Sequence, residues 1–223
     1  MKRPRNIPAL VLCAIFGGML WQALMVLPSQ PGLLAAVNAR LDDSGVRHGV
    51  TAVLMNFRGY DTLFEIGVLL LALISVWSLP DESHDTTPSA GRVQTAYLRV
   101  VGPAMLLFAG YLLWIGSRAP GGAFQAGALL AAVGVLMQLG GRSSGRACGT
   151  MWFRFGLSAG FLLFTVFAFG GVLANHSVLQ YPWGSAGGWI LAIESAGMVS
   201  IGLILSELFR GRAPGTPYNG GSG

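Results

Sequence analysis

Charge is what this chain has least of. Only 10% of its 223 residues are Asp, Glu, Lys or Arg, against about a quarter in a soluble domain. So few ionised groups cannot cover a water-facing surface, which excludes an ordinary soluble globule and points to lipid as the solvent. The mean hydropathy of +0.60 agrees. Cysteine is almost absent as well. Cys13 lies in an apolar run and Cys148 in a basic loop; two cysteines build no disulfide framework, and these are expected not to pair. The three histidines, His48, His84 and His176, are scattered through expected loops with no metal-ligand spacing. There is no phosphate-binding loop, no Ser/His/Asp arrangement and no Cys/His cluster. ATP-driven, redox or hydrolytic chemistry within the chain is therefore unsupported. No catalytic residue, no metal site and no cofactor is expected.

Glycine is plentiful, with 33 residues, which suits a bundle whose helices approach closely in lipid. The sequence pI of about 9.8 invites a nucleic-acid reading, but the basic residues sit between apolar runs rather than on one patch. They serve better as topology markers. The spacing predicts an all-α polytopic fold of about six transmembrane helices, each needing roughly 20 apolar residues. The spans are expected at about 8–27, 62–79, 98–116, 122–139, 153–174 and 186–209. With both termini cytoplasmic, Lys2, Arg3, Arg5, Arg92, Arg99, Arg142, Arg146, Arg154, Arg210 and Arg212 fall inside. Arg40, Arg47, Arg58 and Arg118 fall outside. Ten against four obeys the positive-inside rule, and an odd number of spans would spoil it. The first span is longer than a leader h-region and is expected to persist as a helix.

Between the first two spans, Pro28-Ser29-Gln30-Pro31-Gly32 signals a turn. Leu33, Leu34, Val37 and Leu41 then recur at helical spacing, which predicts a short interfacial helix ended by Asp42, Asp43, Ser44 and Gly45. The apolar run 50–57 can extend the second span outward, with Arg58-Gly59 as an interruption. Residues 80–91 are acidic and Ser/Thr-rich and read as a polar loop. The organisation expected is a two-span region (1–79), a polar linker (80–97), a four-span domain (98–209) and a disordered Gly/Pro-rich tail (210–223). Asn175-His176-Ser177 matches a glycosylation sequon by chance, since it abuts a span.

An acid inside a bilayer is costly and is a functional hypothesis by default. Glu194 lies in the last span among Trp189, Ile190, Leu191, Ile193 and Met198. A carboxyl in such surroundings can exchange a proton near neutral pH; the plainer alternative is an acid that only hydrogen-bonds helices together. Asp61 and Glu65 share one helix face at i, i+4, and two carboxylates so close resist ionising together. Such a pair can pass a proton or hold a cation, with Thr62 as a further oxygen. The alternative has Asp61 capping the second span. Glu207, beside Arg210 at the end of the last span, is expected to reach interfacial water. In the fourth span Gly121, Gln125, Ala128 and Ala132 fall on one narrow face. That face can pack on another helix and hydrogen-bond across, or Gln125 can line a wet ion path. Pro120 fits the first helical turn.

Two stretches carry a family resemblance. Asn56-Phe57-Arg58-Gly59-Tyr60-Asp61-Thr62-Leu63-Phe64-Glu65 resembles the FRGFDTLGE signature near the end of the large A-type subunit of Mrp-type multisubunit Na+/H+ antiporters. Ala119-Pro120-Gly121-Gly122-Ala123-Phe124-Gln125-Ala126-Gly127 resembles the APGGGFQGG signature of their smaller B-type subunit. The order is the family's, and the resemblance runs from about Thr51 to Phe209. It implies a B-type chain with the end of the large A-type partner fused in front, related also to the modules of membrane-bound hydrogenases and similar redox-driven complexes. It further implies a non-catalytic subunit in a bacterial or archaeal cell (inner) membrane. The implied partners are other membrane subunits, the lipid bilayer, H+ and Na+ or another monovalent cation, with no nucleic acid. By the same resemblance Asp61 and Glu65 match the family's acidic pair, and Pro120, Gly121, Gly122, Phe124 and Gln125 its packing and ion-path motif. Glu194 stands where the family tends to have Asp. Ala123 and Ala126 replace glycines, and Ser117-Arg118 replaces a usual His-Asn pair. Arg118 sets a positive charge at the outer mouth, which repels incoming Na+.

Overall fold

The computed structural model describes residues 7–26, 33–79, 92–140, 150–173, 181 and 185–211. The linker 80–91, the sequon at 175–177, Cys148, His84 and the tail beyond Gly211 lie outside the described residues. Among those described, eight α-helices and no strand occur. They are α1 (Ile7–Met25), α2 (Leu33–Ala39), α3 (Gly49–Ala52), α4 (Gly59–Trp77), α5 (Arg92–Ile115), α6 (Ala123–Leu139), α7 (Met151–Leu173) and α8 (Ala186–Arg210). Four of them contain stretches long and apolar enough to cross a membrane: 59–77, 96–115, 151–170 and 186–210. These coincide with four of the six expected spans. The other two expected spans are also apolar helices but shorter: α6, and the part of α1 from Val11 to Met25. The 17 residues of α6 rise about 25 Å, the low end of what a bilayer core needs. The chain is thus a multi-pass, all-helical membrane protein.

The chain divides into two compact units, Met1–Ala36 and Val37–Gly223. The first holds α1, a run of apolar residues with no charge from Ile7 to Met25.

The second unit is organised around α8. Nearly half of that helix (44%) is buried within the protein, against 17–22% of the other full-length spans. The reason is its surface of small and β-branched residues, with Gly197, Ser200 and Gly202 set among Ile190, Ile193, Ile201 and Ile204. Small residues let neighbouring backbones close in where no hydrophobic drive exists between helices. On one side α6 packs with Gly127 against Ile201 and Gly134 beside Ser206. At the far end of this pair the Gln138 amide donates to the carbonyl and hydroxyl oxygens of Ser206, each at 2.9 Å. On the other side Gly160 of α7 meets Gly197, and the Ser200 hydroxyl donates to the Leu157 carbonyl.

A short helix stands where one is expected, as α2, followed by a 3-10 turn over Asp42–Ser44 that ends at Gly45 with φ 75°. The expected interruption before α4 is also there. α3 runs into a π-helical stretch, Val53–Phe57, and Arg58 (φ −132°, ψ 34°) breaks it from α4. Wide π turns leave backbone carbonyls poorly served and occur mostly as short bulges. Here the Thr62 hydroxyl takes the Leu54 carbonyl at 2.7 Å, and the Tyr181 hydroxyl takes that of Met55 at 3.1 Å.

The Gly127 contact sets how closely α6 sits on α8. A Cβ there would stand 2.9 Å from the Ile201 side chain. Gly127→Val should destabilise the bundle by about 1–3 kcal/mol. A lowered midpoint in thermal unfolding of the detergent-solubilised protein would measure this, and an unchanged midpoint would contradict it.

Candidate functional site

The turn between α5 and α6 is tied back onto α5. Arg118 and Ala119 donate to the Ile115 carbonyl at 2.8 and 2.9 Å, and Gly122 donates to that of Leu112 at 2.9 Å. The return is so tight that a Cβ on Gly121 would collide with the Leu112 carbonyl. Gly122 has φ 107°, a backbone setting that side-chain-bearing residues rarely adopt. The Ala-Pro-Gly-Gly motif is therefore a device for reversing the chain and starting α6 against α8.

What α6 starts against is Glu194. A Cβ on Gly122 would stand 2.7 Å from Glu194 Oε1, and the Ala123 backbone N–H is directed at the carboxylate as a donor. Glu194 is 4% exposed and sits about 12 Å along α8 from its start. From it opens a cavity of about 310 Å³ lined also by Arg47, Trp114, Ser117 and Arg118. Tyr181 lies close by. Burial, and after it the charge of Glu194, raises the pKa of its hydroxyl above the usual value. The hydroxyl therefore stays protonated and donates to Met55. The Tyr181 ring stacks on Phe167 with centroids 4.7 Å apart.

The other sequence candidates lie elsewhere. Asp61 is in the first turn of α4 and forms an ion pair with Arg58, both side chains half-exposed. That is what an acid near a helix N-terminus does in the capping alternative, and such exposed pairs add little stability. Glu65, one turn deeper, is exposed and lines a lateral groove of about 740 Å³ with Asp61, Phe64, Phe124, Ala128 and Leu205. The groove and the Glu194 cavity share no lining residue. Asp61 and Glu65 thus stand together, and Glu194 stands apart from them.

Two expectations are corrected, those for Glu207 and Pro120. Thr62 is buried, and its hydroxyl donates to the Leu54 carbonyl. Glu207 does not reach water; it is 2% exposed and pairs with Arg210 at 3.3 Å, since it lies on the packed face of α8. Within this chain Ala123, Gly127 and Ala131 of α6 are buried, and Gln125 and Ala128 are exposed. Small residues surround this helix, so size alone did not select its packed face. The amide that clasps across to α8 is Gln138, a residue that sequence reasoning passed over; its place at i+4 from Gly134 was the available signal. Pro120 is exposed and lies in the turn ahead of α6 rather than in its first helical turn, and Phe124 is half-buried.

A polytopic helical membrane protein with a buried acid beside a glycine turn is the class of protein these features define. Residues 93–207 match the family described as domain related to MnhB subunit of Na+/H+ antiporter. The chain belongs to this family. No curated protein matches it significantly. Among solved structures, a chain of the Mrp complex from Dietzia sp. DQ12-45-1b is 22% identical with a TM-score of 0.68, over 98% of this chain and 27% of that one. This chain therefore spans 27% of the length of that relative. A chain of the archaeal membrane-bound sulfane sulfur reductase is 24% identical with a TM-score of 0.72, over 93% of this chain and 97% of that one. Both are likenesses of fold.

Gly122→Ala should cost about 1–3 kcal/mol through its backbone setting alone, with the clash on Glu194 added. Thermal unfolding checks this. Adding Glu194→Ala should recover part of the loss, and no recovery would mean that the two residues do not press on each other.

Proposed function

We propose that this chain is a non-catalytic membrane subunit of a multisubunit, Mrp-like monovalent cation/proton antiporter in a bacterial or archaeal cell membrane. It contributes acidic residues to the ion path and packs against partner membrane subunits. Residues 1–79 act as the counterpart of the end of the large A-type subunit, and 98–209 as the B-type part. Support for this arrangement is that nearly the whole chain aligns within one longer chain of an Mrp complex.

The observation that carries the proposal is Glu194, enclosed in a membrane-spanning helix yet opening on a cavity. Ionisable groups are kept at such positions at a cost and mark ion paths and proton relays. Glu65 supports the proposal differently. It lies about 9 Å along α4 in a groove otherwise largely apolar, where a partner subunit rather than lipid is the fitting neighbour. In the assembled complex, Glu194→Gln should slow Na+/H+ exchange in everted vesicles about tenfold or more, the effect of about 1.4 kcal/mol on a barrier. Glu65→Gln should slow it as well. If both variants exchange at the wild-type rate, the subunit is a scaffold without a part in the path.

A second reading is favoured by the sulfane sulfur reductase chain, which this chain matches over almost its full length. It makes the chain a membrane-arm subunit of a redox-driven ion pump. Co-purification with iron–sulfur subunits would support it, and their absence from an active antiporter would remove it. In either case few buried charges are available to couple two ions. The purified chain alone in vesicles should show no exchange; robust exchange by the isolated chain would overturn the subunit reading.

A further inference from the structure

Apart from Glu194 itself, the charged residues that line its cavity are positive. The Ala123 N–H belongs to the first residue of α6 and lies at the positive end of the helix dipole. Arg47, from the segment ahead of α3, and Arg118, from the α5–α6 turn, line the same cavity. Neither is in an ion pair among the described residues. Tyr181 is close enough to feel the charge of Glu194, but its hydroxyl donates to Met55. His48 turns to Thr51, at 3.4 Å, and is not among the lining residues. Asp42 and Asp43 line an adjoining cavity, which shares Gly45 and Gly187 with that of Glu194.

Hard cations are held by several converging oxygens, and three of the neighbouring carbonyls already accept hydrogen bonds. That of Ser117 accepts the N–H groups of Arg47 and His48 at 2.9 and 3.1 Å, and that of Leu112 accepts the Gly122 N–H at 2.9 Å. That of Gly116 accepts the Thr51 hydroxyl. Among the described residues no three His, Cys, Asp or Glu side chains converge. A proton needs no such cage. One carboxyl and a file of water suffice, and the cavity has room for several waters.

We propose that Glu194 exchanges protons and takes no metal cation, and that Arg47 and Arg118 set this selectivity by making its vestibule positive. The inference rests on the reading of Glu194 as part of the ion path and narrows it: the metal cation crosses the complex elsewhere.

The test uses the complex in native membranes. Carbodiimide attaches to a carboxyl in its protonated form, and the adduct on Glu194 is mapped by mass spectrometry with Glu194→Gln as control. Labelling should fall as pH rises and should be the same in NaCl as in equal choline chloride. Protection by Na+, or no labelling at any pH, overturns the proposal. The sign of the vestibule is read independently with Ser117→Cys in a background lacking Cys13 and Cys148. An anionic methanethiosulfonate should react about tenfold faster than a cationic one, as a charged cleft enriches counter-ions. Arg47→Gln with Arg118→Gln should abolish that preference. A cationic preference, no preference, or an unreactive cysteine overturns the role of the arginines. If Glu194→Gln stops exchange while Na+ protects Glu194, the selectivity claim alone has failed. If Glu194→Gln leaves exchange intact, the ion-path reading itself has failed, whatever the labelling shows.

Discussion

The seat of α6 on Glu194 is the constraint from which the rest of the second unit follows. An acid inside a span must find donors or neutralise, and here a helix N-terminus meets it. For that to happen the chain has to leave α5, reverse within a few residues and begin α6 with its first N–H aimed at α8. Gly121 supplies the close approach and Gly122 the left-handed backbone. The same reversal presents the backbone carbonyls to which α3 and the residues just before it bind, through Arg47, His48 and Thr51. One buried carboxylate thus fixes a turn, a helix start and the docking of a distant loop.

The packing beyond this point has a simple chemistry. α8 offers glycine and serine at its contacts, and its neighbours reply with Gly127, Gly134 and Gly160. The polar atoms along these contacts are bonded to backbone or to each other, as with Ser200, Ser206 and Gln138. The segment between α3 and α4 shows the same thrift: the carbonyls that its π turn leaves free are those taken by Thr62 and Tyr181.

Much of the helical framework was legible from hydropathy and charge, because a bilayer forces long apolar runs whatever the partner contacts. The break at Arg58-Gly59 and the short helix after Gly32 were legible for similar reasons. Rotational settings were not. The small residues of α6 offer several equivalent faces, so the choice of Ala123, Gly127 and Ala131 over Gln125 and Ala128 depends on Ile201, a residue 74 positions beyond Gly127 in sequence. Glu207 was misplaced for the same reason, since its burial depends on which side of α8 is packed. Glu194 was visible as an isolated acid in an apolar helix, and Arg118 as a positive charge at the outer mouth, but the meeting of Arg118 with Arg47 at the Glu194 cavity had no local signal. Thr62 looked like a ligand because of its neighbours in sequence, whereas its hydroxyl serves the turn before it.

The Gln138 clasp has a mechanical meaning. α6 is held to α8 near its start by the Glu194 contact and near its end by Ser206, with Gly127 closing the middle. A helix pinned at three heights can neither slide nor tilt against its neighbour without breaking several bonds together. The pair is thus tied together along its length, so that a displacement of one of these two helices carries the other with it.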